Sequence, residues 1–260
     1  MIELAISPCP NDTFLFAPWV LGKLDAPPPH IHFADIEQLN NWALTKKFPL
    51  IKVSIACMSK LADYELLPVG AALGFHVGPK IIAKKRYSLG DLSRLRLAVP
   101  GAWTTAHLLL QKLSPQPREK HFCLFHEIFH LLNAGIVDAG LIIHESRFTF
   151  EKEGFVEIAD LGELWHERFS LPLPLGGLAM IKNHPLREEV ITILQKSYDF
   201  AYSHTKELLP FILEHAQVKE AALQHIATYV TGETRELSPT GWKAIERLTD
   251  GKVSRLCVGS

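Results

Sequence analysis

The sequence predicts an α/β protein of two lobes with a binding cleft between them. Short apolar runs, such as Gly140-Leu141-Ile142-Ile143, stop at polar or proline residues and give way to segments of helical spacing. That alternation marks strand–helix units. Two proline- and glycine-rich stretches, near 74–79 and 171–177, read as two crossings of the chain between lobes. The 260 residues suffice for one large domain or two ordinary ones. The expected larger lobe is therefore discontinuous, 1–78 plus 175–260, and the smaller one, 79–174, is inserted. Clefts between such lobes are usual small-molecule sites, and a double crossing suits a closing hinge.

Composition narrows the function. With 27 basic and 28 acidic residues the net charge is −1, so no electrostatic case exists for nucleic acid or an anionic membrane surface. Cysteines at 9, 57, 123 and 257 share no metal-binding or redox spacing, so no metal site is expected. Free thiols suit a reducing compartment. The first residues lack the pattern of a signal peptide, and no apolar run is long enough to span a bilayer. A cytoplasmic location is expected. No dinucleotide or nucleotide-triphosphate fingerprint is present, so no cofactor is expected. The oligomeric state stays open.

The first unit is a strand, Ile2 to Ser7, stopped by Pro8 and Pro10. Asn11, Asp12 and Thr13 suit the N-cap of a helix over Phe14 to Leu21. Ser7, Asn11 and Asp12 thereby line a strand–turn–helix junction, a ready anion or carbonyl site; an ordinary turn is the alternative. After a stiff Pro27-Pro28-Pro29 connector come a strand from His30 to Ile36 and a helix from Glu37 to Lys46. The next strand, Leu50 to Ile55, carries Lys52 and Ser54 on one face. Either it is an edge strand with one wet face, or that pair points into a cleft.

In the inserted lobe, strands are expected at Lys80 to Lys84, Leu95 to Val99, His121 to Phe125, Gly140 to Ile143 and Phe155 to Leu161. The turn Pro100-Gly101-Ala102-Trp103-Thr104-Thr105-Ala106 opens a helix from His107 to Leu113. Its threonines gather hydroxyls and free N–H groups, suited to a carboxylate or oxyanion; simple capping is the alternative, above all for Thr105. The strand ending at Ile143 delivers His144, Glu145, Ser146 and Arg147 together. Ligands of open α/β sheets bind beyond strand carboxyl ends, so His144 is the working centre. Beyond the second crossing, a strand from Leu178 to Ile181 precedes helices over Leu186 to Ser203, Glu207 to Ala216, Lys219 to Tyr229 and Pro239 to Leu248.

Several of these stretches resemble the 1,4-dihydroxy-6-naphthoate synthase family of the futalosine route to menaquinone. They are Ser7-Pro8-Cys9-Pro10-Asn11-Asp12-Thr13-Phe14, Leu39 to Leu44 and Lys52-Val53-Ser54. Gly70 to Pro79, Pro100-Gly101 with Thr104-Thr105-Ala106, Gly140 to Thr149 and Leu171 to Gly176 complete the match. The C-terminal helices match only loosely. The resemblance implies a type II periplasmic-binding-protein-like fold. It implies a lyase that turns cyclic dehypoxanthinyl futalosine, a carboxylated bicyclic compound, into 1,4-dihydroxy-6-naphthoate. It also implies His144 as proton acceptor, with Lys52, Val53, Ser54, Thr104, Thr105 and Ala106 contacting substrate.

The residue types suit that chemistry. Fragmentation needs a proton taken from carbon next to a carbonyl, and histidine titrates near neutrality. Helix-start N–H groups near Thr104 or Asp12 and the Ser54 hydroxyl are candidate enolate donors. Lys52 offsets the benzoate charge or is structural. Cys9 is a thiol in a turn at the cleft; packing as a small hydrophobe is the expected role. Glu145 and Arg147 are left without assigned roles, paired with each other or facing apart. The competing reading is a solute-binding protein of the same fold without chemistry.

Overall fold

Two mixed sheets, each covered by helices, make up the computed structural model, which describes residues 2–254. The chain begins with β1 (Glu3–Ile6), α1 (Pro10–Val20), β2 (His30–Phe33), α2 (Ile36–Leu44), β3 (Leu50–Ser54) and α3 (Ile55–Met58). β4 (Tyr64–Leu66), β5 (Ala72–Gly74), β6 (Lys80–Ala83), β7 (Arg96–Val99), α4 (Thr105–Leu113) and β8 (Glu119–Phe122) follow. Next come α5 (Ile128–Asn133), β9 (Ala139–Ile142), β10 (Val156–Asp160), α6 (Leu161–Phe169) and β11 (Leu173–Ile181). The chain closes with α7 (Arg187–Ser203), α8 (Thr205–His215), α9 (Ala222–Tyr229), α10 (Gly232–Arg235) and α11 (Pro239–Leu248). Cys257 lies outside the described residues.

The first sheet runs β2-β1-β3-β11-β4, with β5 also paired to β11; the second runs β10-β6-β9-β7-β8. The first sheet thus takes strands from both ends of the chain and the second from its middle. β1 is parallel to β2 and β3, whereas β11 returns antiparallel to β3. β3 is therefore interior, with every residue buried. The edge-strand alternative for Lys52 and Ser54 falls.

Four expectations need correction. Helix α1 starts at Pro10, with Cys9 at its N-cap and no side-chain cap. Proline is pre-set for the first helical position, so Asn11 and Asp12 lie inside the first turn. Strand β11 runs unbroken through Leu173-Pro174-Leu175-Gly176-Gly177. Pro174 pairs only with β5, before β3 joins at Gly176, so no ladder bond is lost on the β3 side. Strand β8 ends at Phe122, and a single 3-10 turn takes Phe125–Glu127. Strand β9 ends at Ile142, and His144–Phe148 form another 3-10 turn.

One apolar cluster is continuous across both sheets, from Ile51 and Val53 to Leu97, Leu109 and Trp165. A second, between β1, α1 and α7, includes Leu4, Phe16, Trp19 and Leu194. Helices α8 and α9 add Leu208, Ile212 and Ile226 against Phe14 of α1. This packing sets the start of α1 against the C-terminal helices. Among the described residues, no helix is long and apolar enough to cross a membrane.

Candidate active site

A cavity lies between the two sheets, a usual place for a small-molecule site. Its wall contains Ser7, Asn11, Asp12, Lys52, Ser54, Thr104, Thr105, Ala106 and His144. Val53 is not among the lining residues. Its side chain is turned to the opposite face of β3 and buried in the apolar cluster. Sequence reasoning missed His225 and Tyr229, which line the cavity from α9. They stand four apart on one helix face, the only signal available for them. Gly78, Pro79, Leu175 and Gly176 of the crossing segments line it too.

The polar floor is built around Asp12. Its Oδ1 accepts from Lys52 Nζ at 2.6 Å and from Asn11 Nδ2 at 2.9 Å. Its Oδ2 accepts from Ser7 Oγ at 2.6 Å. Lys52 Nζ also donates to the Gly70 carbonyl at 3.0 Å. Both charges are buried and matched, as burial of an ion pair requires. The Ser54 hydroxyl accepts from Asn40 Nδ2 at 3.0 Å, leaving its own proton to donate.

The two threonines divide their work in the opposite sense to the expectation. Thr104 caps α4, its hydroxyl accepting from His107 N at 3.2 Å. Thr105 donates to the Leu175 carbonyl at 2.7 Å and accepts from Ala56 N at 3.2 Å. It ties the sheets together rather than capping. The first N–H groups of α4 have no intrahelical partner and sit where Thr105 and Ala106 meet the cavity.

His144 occupies the left-handed region, with φ of 59°. That conformation is uncommon outside glycine and turns the chain sharply after β9. The imidazole lies 2.8 Å, through Nδ1, from Cys9 Sγ, and its ring packs edge-on against Phe125. Among the described residues, Nε2 has no hydrogen-bond partner. Burial is the main force raising the Cys9 thiol well above its ordinary range, with the Glu145 and Asp12 charges adding to it. Cys9 is thus a neutral thiol bonded to the histidine, not simply a packing residue.

The turn after β9 also brings Glu145 inward. It is 1% exposed, and its Oε1 has no hydrogen-bond partner. Arg147 pairs not with Glu145 but with Asp160, at 2.9 Å, and donates to Tyr229 Oη and the Gly78 carbonyl. It braces α9 against the second sheet. His225 bonds to Asn11 Oδ1 at 3.0 Å through Nε2, and its Nδ1 is unpartnered. Burial first, then the charges of His144, Arg147 and Lys52, push the His225 pKa well below 6.5.

Residues 2–251 match the family model described as menaquinone biosynthesis. The chain belongs to the menaquinone biosynthesis family. A 1,4-dihydroxy-6-naphthoate synthase of Thermus thermophilus is 40% identical over 255 residues, 95% of this chain and 92% of that one. One of Streptomyces coelicolor is 36% identical over 260 residues, 95% of this chain and 91% of that one. A solved structure from Archaeoglobus fulgidus superposes with a TM-score of 0.90 at 30% identity, covering 96% of each chain. The alkanesulfonate-binding protein of Xanthomonas axonopodis superposes with a TM-score of 0.69 at 14% identity, over 96% of this chain and 91% of that one. That likeness shows the fold: this menaquinone-biosynthesis family member is built as periplasmic binding proteins are. It is an enzyme by its family, and it takes a small-molecule substrate.

Proposed function

We propose that this chain converts cyclic dehypoxanthinyl futalosine to 1,4-dihydroxy-6-naphthoate, releasing a sugar-derived fragment, with His144 as proton acceptor. The observation that carries the role of His144 is its placement. Nδ1 is held by Cys9, and Nε2 is free of protein partners at the wall of the cavity. For Nε2 to accept a proton, Nδ1 must carry the ring hydrogen and give it to the Cys9 sulfur, a weak acceptor. The proton leaves the carbon next to the substrate ketone, and the electron pair moves onto the ketone oxygen as an enolate. The enolate pair then drives cleavage of the bond to the sugar-derived group, which leaves with the bonding electrons and takes a proton; aromatisation follows, with no net redox change and no cofactor invoked.

The N–H groups of Thr105 and Ala106 at the start of α4, and the Ser54 hydroxyl, suit the enolate oxygen or the substrate carboxylate. Lys52 is neutralised by Asp12, so its part is a hydrogen bond rather than a net charge. Val53 supports its strand from the core. Ser7 and Asn11 hold Asp12. We assign residues 1–78 with 175–260 to one lobe and 79–174 to the other, meeting at this cavity. The unpaired thiols Cys9, Cys57 and Cys123 favour a cytoplasmic setting.

The test is incubation with cyclic dehypoxanthinyl futalosine and detection of the naphthoate product. Product formation at a rate that scales with protein supports the reading. Saturable binding without turnover assigns the chain to the solute-binding class that shares its fold.

A further inference from the structure

We propose that Cys9, His144 and Glu145 form a site for a thiophilic divalent cation such as Zn2+, and that its occupancy switches the catalytic base off. The sulfur, a ring nitrogen and a carboxylate oxygen of these residues all lie within 4.8 Å of one another. Thiolate, imidazole and carboxylate are the three ligand types that zinc uses. Nothing in the sequence showed this set, because residue 9 stands 135 positions from residue 144. The fold brings the N-cap of α1 against the turn that follows β9.

Glu145 Oε1 is the independent sign. It is buried and has no partner, and such a group is costly unless something binds it. One cation between the three side chains would satisfy it. A thiolate, a carboxylate and a neutral imidazole around a doubly charged ion sum to zero charge, which eases burial. Three protein ligands leave a fourth tetrahedral position for a water molecule. The fit needs a small adjustment. The Cys9–His144 separation of 2.8 Å must widen to roughly 3.5 Å around a tetrahedral zinc.

Binding displaces the Cys9 thiol proton to solvent. Coordination through Nδ1 leaves the ring hydrogen on Nε2, so no lone pair faces the substrate. This inhibitory consequence rests on the role of His144 proposed above; the metal site itself does not. Glu3, His30 and His32 make a second three-donor cluster at the surface, so the test uses a His30→Ala, His32→Ala background.

Zn2+ is titrated calorimetrically into the chelator-treated protein, and Co2+ is added as an optical probe of thiolate ligation. The expected result is one bound ion per chain and a thiolate-to-cobalt charge-transfer band. Cys9→Ser should remove the band and weaken zinc by about tenfold or more, and Glu145→Gln should weaken it comparably. Zn2+ should abolish turnover with the same midpoint as binding, and chelator should restore it. Absence of the band, or its persistence in Cys9→Ser, overturns the site. Full turnover with zinc bound overturns the inhibition. Absence of turnover in metal-free protein refutes the proposed lyase instead, and the titration still decides the site.

Discussion

Most of the polar side chains at the cavity wall are engaged with one another, so only a few groups remain for substrate. Asp12 is saturated by Ser7, Asn11 and Lys52, and Thr105 by Leu175 and Ala56. The groups with capacity left are His144, the Ser54 hydroxyl proton, the start of α4 and His225 Nδ1. His225 has a measurable signature. Its folded pKa lies well below 6.5 because burial opposes its charge. Above pH 6.5 it is neutral in both states and adds no pH dependence. Below 6.5 the unfolded chain binds a proton that the folded chain does not, so stability falls as pH falls. Denaturant unfolding at about pH 7.5 and about pH 5.5 should show the wild type losing on the order of 1 kcal/mol more than His225→Gln. Equal losses would mean that His225 protonates freely in the folded state.

At the scale of the element, the turn after β9 and the start of α1 do most to shape the site. The apolar run before His144 made that strand legible in the sequence, and so did the proline stop after β1. What the sequence did not reveal is that β9 ends one residue early and that a left-handed His144 follows. An ideal strand sends Glu145 away from His144; the 3-10 turn sends both toward Cys9. The length of β11 was hidden because its proline and glycines read as breakers, whereas its neighbours supply the pairing. His225 and Tyr229 were invisible for another reason: a helix declares its apolar face, not which partner helix that face meets. Glycine positions give a direct check on the packing between elements. A Cβ on Gly162 would lie 2.1 Å from the Val77 carbonyl carbon and 2.3 Å from Gly78 N. Backbone cannot yield there, so Gly162→Ala should destabilise by roughly 1–3 kcal/mol in denaturant unfolding. Gly232→Ala, with nothing within 4 Å, should be neutral; an equal effect would undo the close-approach explanation.

For the whole molecule, the continuous apolar cluster and a set of cross-sheet hydrogen bonds hold the two sheets together. Glu37 on α2 accepts from Ala102 N at 2.7 Å and from Trp103 N at 3.1 Å, both in the turn before α4. This carboxylate is a latch between the lobes, packed on Gly101, where a Cβ would lie 2.5 Å from it. Hydrogen bonds to a charged acceptor contribute about 1.5–3 kcal/mol each. Glu37→Ala should therefore speed hydrogen exchange at Ala102 and Trp103 by roughly 10- to 100-fold, with far amides of the second sheet unchanged. Unchanged exchange at those two amides would show that Glu37 is not a latch.

The two-lobed frame serves to bring one imidazole to the cavity between the sheets, and that imidazole is the point to test. Turnover of cyclic dehypoxanthinyl futalosine by His144→Ala, compared with the wild type at equal folded concentration, does so most directly. A general base contributes about 10²–10⁴-fold, so kcat should fall by about that factor while substrate binding persists. Wild-type turnover in His144→Ala would contradict the assignment of the base.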